Sequence, residues 1–460
     1  MSSLARPAWL ALATFALALA GLAFARWLGA VALHGPVLYG EGAVAHAAVL
    51  AREAAEYAPA VAPAFVAANY TPLYFHLAGL GDPFVAGRAL SIGCTLLVAL
   101  AIAWRARAAG PIVALAFGAG WLALAPVATW GPALKPDLLA LALTAAAVLL
   151  VDVRARRREE LAGLAGAVMA LAFFAKPTAA LPALALGAWL LLARRPGSAA
   201  WYATAGIVAG ALGVMLTPGG LPALRRHVLE HNALPWSAEQ AALLGALALI
   251  VVGVPLLLAA VLRAVGGPAG AYVVGALGIV VLGGREGATI NYLLDLSAAS
   301  MLALAGFAPG LAARSAVPAL LAAQLVAGLA LLDPLGMVPG REGTGAWGRA
   351  ERVAAARALP GGYVLAEDSG LLVEQGREPT IDDLFLWSRL AERGVVDREP
   401  LLAVIRAGSF VRIVSEVDLA ALGSAPAFER QRWPAWLAAA VLERYTLDSR
   451  EGGLHIYRPR

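Results

Sequence analysis

Lysine is nearly missing from this 460-residue chain: Lys135 and Lys176 are the two that occur, and arginine fills the rest of its 35 basic positions. Cysteine is scarcer still. Cys94 stands alone inside an apolar stretch, which excludes an intramolecular disulfide and a cysteine-based zinc site and leaves the redox compartment unread. Charged residues make up 14% of the chain against 61% hydrophobic, a balance that excludes a water-soluble globular protein and predicts an integral membrane protein. No P-loop lysine pattern occurs, so an ATP-driven pump is not expected. Asp-x-Asp is absent too, which speaks against a nucleotide-sugar enzyme that clamps a diphosphate with metal. No cofactor is expected, and assistance by a divalent metal stays open. The net charge of +5 is small and the arginines are scattered over loops, so nucleic acid is not an expected partner.

In place of charge there is one apolar run after another up to about residue 333. A membrane helix needs about 20 apolar residues, and the stretches 8–33, 85–104, 111–130, 137–153, 161–175, 179–193, 201–218, 241–263, 269–283, 293–309 and 315–332 meet or approach that length. The expected fold is mainly α: a polytopic membrane protein of about eleven spans, residues 1–335, followed by a small soluble α/β domain, 340–460. The run after Met1–Arg6 is too long for a signal-peptide core and is read as the first span. With a cytoplasmic N-terminus, the inner loops hold Arg105 and Arg107, then Arg154, Arg156, Arg157 and Arg158, then Arg194 and Arg195, Arg263 and Arg314, as the positive-inside rule requires. That count takes Lys176-Pro177 as an outer turn. One broken helix across it would put Arg194 and Arg195 outside.

This topology elaborates one face, in the outer segments 34–84, 219–240, 284–292 and everything after about 334. In the first, Ala43 to Tyr57 has the spacing of a helix lying along the membrane surface, and Asn69-Tyr70-Thr71-Pro72 breaks it before Leu73 to Leu80 resumes. Gly340, Gly343 and Gly345 read as a linker. Beyond it, 363–366 and 410–414 read as strands, 382–393 and 399–407 as helices, and 454–457 as a strand closing the sheet.

The same topology gathers Glu41, Tyr70, Lys135, Asp137, Lys176, Arg225, Arg226, His227, Arg285 and Asn291 on the outer side. Cations neutralise phosphate oxygens and a carboxylate accepts a proton, so the set suits a phosphorylated substrate. Each lysine opens a Lys-Pro dipeptide at the end of an apolar segment, where a charge costs about 2.5–3.5 kcal/mol near the bilayer centre. A compact point charge for phosphate is one reading; a snorkelling Lys135 and a Lys176 salt bridge are the others. Glu41, flanked by Gly40 and Gly42, is the first acid after the first span and a candidate general base. Asp137 is a second candidate, or a partner for Lys135, or a helix cap. The outer arginines could equally meet lipid headgroups. His227-Val228-Leu229-Glu230-His231 has the H-x-x-E-H order of a zinc protease family, although an interfacial amphipathic helix with Arg225 and Arg226 accounts for it as well.

Tyr39-Gly40-Glu41 after the first span, Tyr70 to Tyr74 closing the first outer loop, Gly87-Arg88 opening the second span, Lys135-Pro136-Asp137, Lys176-Pro177-Thr178 and Asn291-Tyr292 follow one another in an order that resembles the GT-C membrane glycosyltransferases. That group contains protein O-mannosyltransferases and the lipid A aminoarabinose transferase. The resemblance implies a bacterial-type inner-membrane enzyme that moves a sugar, with inversion, from a polyprenyl-phosphate donor to a hydroxyl of a lipid, glycan or protein on the outer face. It implies Glu41 as general base, although Gly40 stands where many relatives have an acid. Tyr70, Lys135, Asp137, Lys176, Arg225, Arg226, Arg285, Asn291 and Tyr292 are the expected substrate-binding residues, the cations among them by electrostatic inference. A transporter or flippase of a lipid-linked or phosphorylated substrate is the alternative, and a zinc metalloprotease using His227 and His231 a lesser one.

Overall fold

The computed structural model describes residues 5–152, 157–262, 266–333, 335 and 349–460. Arg154, Arg156 and Arg263 of the expected inner loops and the linker glycines Gly340, Gly343 and Gly345 lie outside the described residues. The apolar stretches fold as α1 (Ala5–Ala32), α2 (Glu41–Leu50), α3 (Leu73–Ala78), α4 (Pro83–Ala106), α5 (Pro111–Leu122), α6 (Ala125–Trp130), α7 (Asp137–Asp152) and α8 (Arg158–Ala175). There follow α9 (Ala180–Leu192), α10 (Pro196–Leu216), α11 (Gly220–Leu224), α12 (Ala238–Val261), α13 (Pro268–Leu282), α14 (Leu294–Ala305), α15 (Ala308–Leu311) and α16 (Ala316–Leu332). Among the described residues, α1, α4, α10 and α12 are long and apolar enough to cross a membrane, and shorter apolar helices pack between them. These helices are apolar on every side. α1 buries Trp9, Ala13, Ala16 and Trp27 yet leaves Leu10, Leu22 and Leu28 exposed, a surface that only lipid satisfies.

Lys176-Pro177 is a turn. Proline disfavours helical backbone in the residue before it, and Lys176 is extended (φ −147°, ψ 125°) where α8 ends. Tyr202 of α10 abuts both Gly166 of α8 and Gly187 of α9. A continuous helix would hold those glycines about 30 Å apart, so α8 and α9 fold back side by side. With α10 they line an open apolar groove of about 860 Å³.

The expected surface helix of the first loop is not on the surface. α2 is buried from Glu41 to Ala48, because Gly42, Ala43, Ala45, Ala47 and Ala48 let neighbours close in on all sides. One of those neighbours is the C-terminal unit, which meets α2 at Gly42: a Cβ there would overlap the backbone of Gly370.

That unit comprises α17 (Arg349–Arg357), β1 (Val364–Ala366), α18 (Gly370–Val373), α19 (Leu384–Glu392), α20 (Glu399–Arg406), β2 (Arg412–Ser415), α21 (Ala427–Arg432), α22 (Ala435–Arg444), β3 (Tyr445–Glu451) and β4 (Leu454–Pro459). The sheet order is β1-β2-β4-β3. β1 runs parallel to β2 with Leu365 opposite Ile413, and β4 lies antiparallel to β2 with Ile456 opposite Val414. β3 was not expected. Its Asp448, Arg450 and Glu451 blunt the apolar signal, as charges do on edge strands, and Gly452-Gly453 turn it back into β4.

Residues 380–382 stitch this unit to the first loop. Phe65 N–H donates to Thr380 O (2.8 Å) and Asp382 N–H to Phe65 O (3.2 Å). Asp382 then accepts from Ala67 N–H at 2.8 Å and lies 3.3 Å from His46 Nδ1.

Candidate active site

Where the helix ends meet the C-terminal unit there is a cavity of about 470 Å³, within the ~300–1,000 Å³ range usual for small-molecule sites. The bundle supplies Tyr70, Lys176, Asn232, Arg285, Asn291 and Tyr292 to its wall; the first loop supplies Tyr39 and Gly40, the α6–α7 turn Lys135, and the C-terminal unit Asp383, Phe385 and Phe428. Two polar clusters face this space.

The first is centred on Lys176. Its Nζ donates to Asp137 Oδ1 at 2.6 Å, and Asn291 Nδ2 donates to the same oxygen at 2.9 Å. Nζ also lies 5.0 Å from the centre of the Tyr292 ring, while Arg285 Nη2 donates to the hydroxyl of that tyrosine at 3.2 Å. Tyr292 therefore spaces two cations. Arg285 is oriented by Asn232, which accepts from Nη1 at 2.6 Å on its side chain and 3.1 Å on its carbonyl. Burial pulls the Lys176 pKa down, but Asp137 more than offsets it and the net direction is up. An ammonium carries three donors, so Lys176 keeps N–H groups beyond the one that Asp137 holds.

The second cluster is built around two consecutive residues, Tyr39 and Gly40. Lys135 Nζ donates to Gly40 O at 2.7 Å. Tyr39 OH donates to Asp383 Oδ1 at 3.2 Å and accepts from Phe385 N–H at 2.8 Å. Asp383 caps α19 by accepting from Leu386 N–H at 3.0 Å. Arg432 lies over the Tyr39 and Phe428 rings, at 4.4 and 4.8 Å. Burial shifts both ionisable groups towards neutrality: it lowers Lys135, opposed by Asp383, Glu41 and Asp137, and raises Asp383.

Glu41 does not line the cavity. It is fully buried, and Oε2 accepts from Val37 N–H (2.8 Å), Leu38 N–H (3.4 Å) and Arg88 Nη2 (2.6 Å), while Oε1 accepts from Leu134 N–H (2.7 Å). Arg88, fully buried as well, also donates to Ala30, Leu33 and Gly35 carbonyls at 2.5–2.7 Å. The pair locks the end of α1, the first loop and the α6–α7 turn together. A carboxylate so buried and so occupied is held away from the cavity, and the geometry gives its expected place as the base no support. The flanking glycines serve packing rather than a ligand. Gly40 has φ 77° and a Cβ there would sit 2.8 Å from Lys135 Nζ.

Asp137 stands behind Lys176 and Asn291, its partner being Lys176 and not Lys135. Arg225 and Arg226 face outward, Arg225 paired with Glu230 at 3.0 Å, because their π-helical turn (Arg225–Glu230) buries His227 and Val228 instead. His227 and His231 both place Nδ1 against one acceptor, Ala67 O, at 3.1 and 3.2 Å. Burial holds His227 down to about 4, so the ring is neutral and donates. Among the described residues no group of three His, Cys, Asp or Glu side chains is placed to hold a metal, and the zinc-protease reading loses its geometry. Asn232 and Asp383 are not among the expected site residues, and Tyr39 enters only as the start of the Tyr39-Gly40-Glu41 stretch; each is polar, but nothing local in sequence ties 383 to 39.

No protein-family model matches the chain, and no curated protein matches it in sequence. Solved structures do. ArnT from Cupriavidus metallidurans in the apo state superposes with a TM-score of 0.63 at 14% identity, covering 96% of this chain and 97% of that one. ArnT from the same organism bound to undecaprenyl phosphate gives a TM-score of 0.60 at 14% identity, covering 96% and 98%. From end to end, the chain shares the fold of these two ArnT structures.

Proposed function

We propose that this protein transfers a sugar from a polyprenyl-phosphate donor to an acceptor hydroxyl at the outer face of the cell membrane. The observation that carries the reading is the convergence of Lys176 and Arg285 on Tyr292 in the cavity wall. Two cations that differ in shape suit a phosphate: guanidinium forks two oxygens and ammonium gives a point charge. The fold supports the same donor class, since undecaprenyl phosphate occupies a structure of ArnT. Lys176 and Arg285 neutralise the phosphate as it leaves the anomeric carbon, where charge develops, and Tyr70 and Asn291 border it. Lys135 serves the far side of the same space. Phe173 and Phe174 of α8 lead from Lys176 into the apolar groove of α8, α9 and α10, which suits the tail of such a donor. Glu41 we assign to locking the first loop.

The test uses membranes or proteoliposomes with the full chain and radiolabelled polyprenyl-phosphate sugars. Label should move onto a lipid, glycan or protein fraction, and Arg285→Ala should lose both transfer and binding of undecaprenyl phosphate. Uptake of labelled solute with no sugar transfer would instead establish a transporter.

A further inference from the structure

Transfer to a hydroxyl needs a proton acceptor, and the expected one is occupied. Resting on the donor reading above, the geometry points to Asp383, carried by the C-terminal unit, as the general base that deprotonates an alcohol acceptor. Among the described residues, the carboxylates on the cavity wall are Glu286 and Asp383. Glu286 is tied at both oxygens: Oε2 accepts from Arg389 Nε at 3.0 Å, and Oε1 from Gln431 Nε2 at 2.9 Å and Arg389 Nη2 at 3.0 Å. Asp137 is off the wall and paired with Lys176. Asp383 differs from these. Both of its hydrogen bonds fall on Oδ1, and the residue is only half-buried, so Oδ2 is the oxygen it presents to the space.

Its surroundings suit the task. Tyr39 holds Asp383 while the next residue, Gly40, holds Lys135, so a cation and a carboxylate are set side by side on one wall. Asp382, the neighbouring acid, faces away into Ala67 and His46. Burial raises the Asp383 pKa above the ordinary carboxylate value, which makes it a better proton acceptor. In the step, the acceptor O–H proton passes to Asp383 Oδ2 as the acceptor oxygen bonds to the anomeric carbon. The bond from that carbon to the phosphate oxygen breaks, and its electron pair leaves with polyprenyl phosphate beside Lys176 and Arg285. The C-terminal unit is then part of the catalytic centre, because it closes the acceptor side of a cavity whose donor side belongs to the bundle.

Asp383→Asn is the decisive variant in the full chain. Asparagine can still cap α19 and accept from Tyr39, but it takes no proton. Sugar transfer should fall by about 10²- to 10⁴-fold, the usual worth of a general base, with undecaprenyl phosphate binding and the thermal unfolding midpoint unchanged. Wild-type transfer should show an acid limb that reports one carboxylate above the usual carboxylate range. Transfer within a few-fold of wild type, a loss of undecaprenyl phosphate binding in Asp383→Asn, or a flat acid side in the wild-type profile would each overturn the assignment. If wild-type protein neither binds undecaprenyl phosphate nor transfers label, it is the donor reading that fails.

Discussion

The two walls of the cavity each carry one of the chain's two lysines, and they treat it in opposite ways. Lys176 faces a carboxylate at 2.6 Å, and the net shift of its pKa is upward. Lys135 faces a carbonyl at 2.7 Å, and burial shifts it downward. One Lys-Pro signature thus produces a lysine held by a carboxylate inside the bundle and one held by a carbonyl at the seam with the C-terminal unit. The difference lies in the next residue but one: Asp137 follows Lys135 in sequence yet pairs with Lys176, leaving Lys135 to the backbone of Gly40.

The contrast is broken most severely at the lysine inside the bundle. Lys176→Met leaves Asp137 buried without its counter-charge, which costs about 3–5 kcal/mol and removes a donor-phosphate ligand. Little folded protein should be recovered, and what remains should not retain undecaprenyl phosphate. Lys135→Met removes a bond to one carbonyl, worth about 1.5–3 kcal/mol for a charged donor, and should be recovered folded with donor binding retained. Equal losses from the two variants, in unfolding midpoint and in binding, would erase the distinction.

Glu41→Gln comes next. If Glu41 were the base, the variant would fold normally and fail at transfer; as a lock, it keeps an amide oxygen for Arg88 but loses the charge, and about 1.5–3 kcal/mol with it. The lowered unfolding midpoint, with residual transfer in proportion to the folded fraction, is the expected result.

Alkaline titration separates the lysines by sign. A lysine whose folded pKa is raised contributes stability that is complete below the ordinary value of about 10.4 and is lost as pH climbs through the folded pKa. Lys176 is of that kind. A lysine whose folded pKa is lowered binds fewer protons folded than unfolded between the two values, so stability rises with pH through that window. Lys135 is of this second kind. Unfolding midpoints against pH should show the rising limb below about 10.4 vanish in Lys135→Met, and it should persist in a protein altered elsewhere on the wall, such as Tyr70→Phe.

Much of this is legible in the sequence. Apolar runs marked the helices because lipid leaves no other pattern open to them, and the Lys-Pro dipeptides marked turns because proline dictates the backbone before it. Tyr70, Lys135, Lys176, Arg285 and Asn291, gathered by chemistry and topology, and Tyr292, which the family resemblance added, all stand on the cavity wall. What stayed hidden was direction. Arg225 and Arg226 stand beside two histidines that pack on Ala67, yet one turn of π-helix points them outward. Asp382 and Asp383 are adjacent and chemically alike, but strand-like pairing with Phe65 buries the first and leaves the second on the wall. Such a choice is made by a contact more than 300 residues away in sequence, as the 315-residue separation of Ala67 and Asp382 records.

The finest test of the two walls keeps the charge and changes only its shape. At Lys176, arginine can still donate to Asp137 and lie over the Tyr292 ring, since guanidinium makes both contacts at least as well as ammonium. Lys176→Arg should therefore bind undecaprenyl phosphate within about tenfold of wild type, a difference of about 1.4 kcal/mol. At Lys135 the ammonium fits over a glycine whose φ of 77° and missing Cβ make the room for it. A planar, wider head group cannot reach Gly40 O without displacing the loop that also holds Tyr39, and through it Asp383. Lys135→Arg should accordingly spare donor binding but lower the transfer rate, because the cost falls on the wall that positions the acceptor. Binding and rate that move together at both positions would mean that the cavity has one polar wall rather than two.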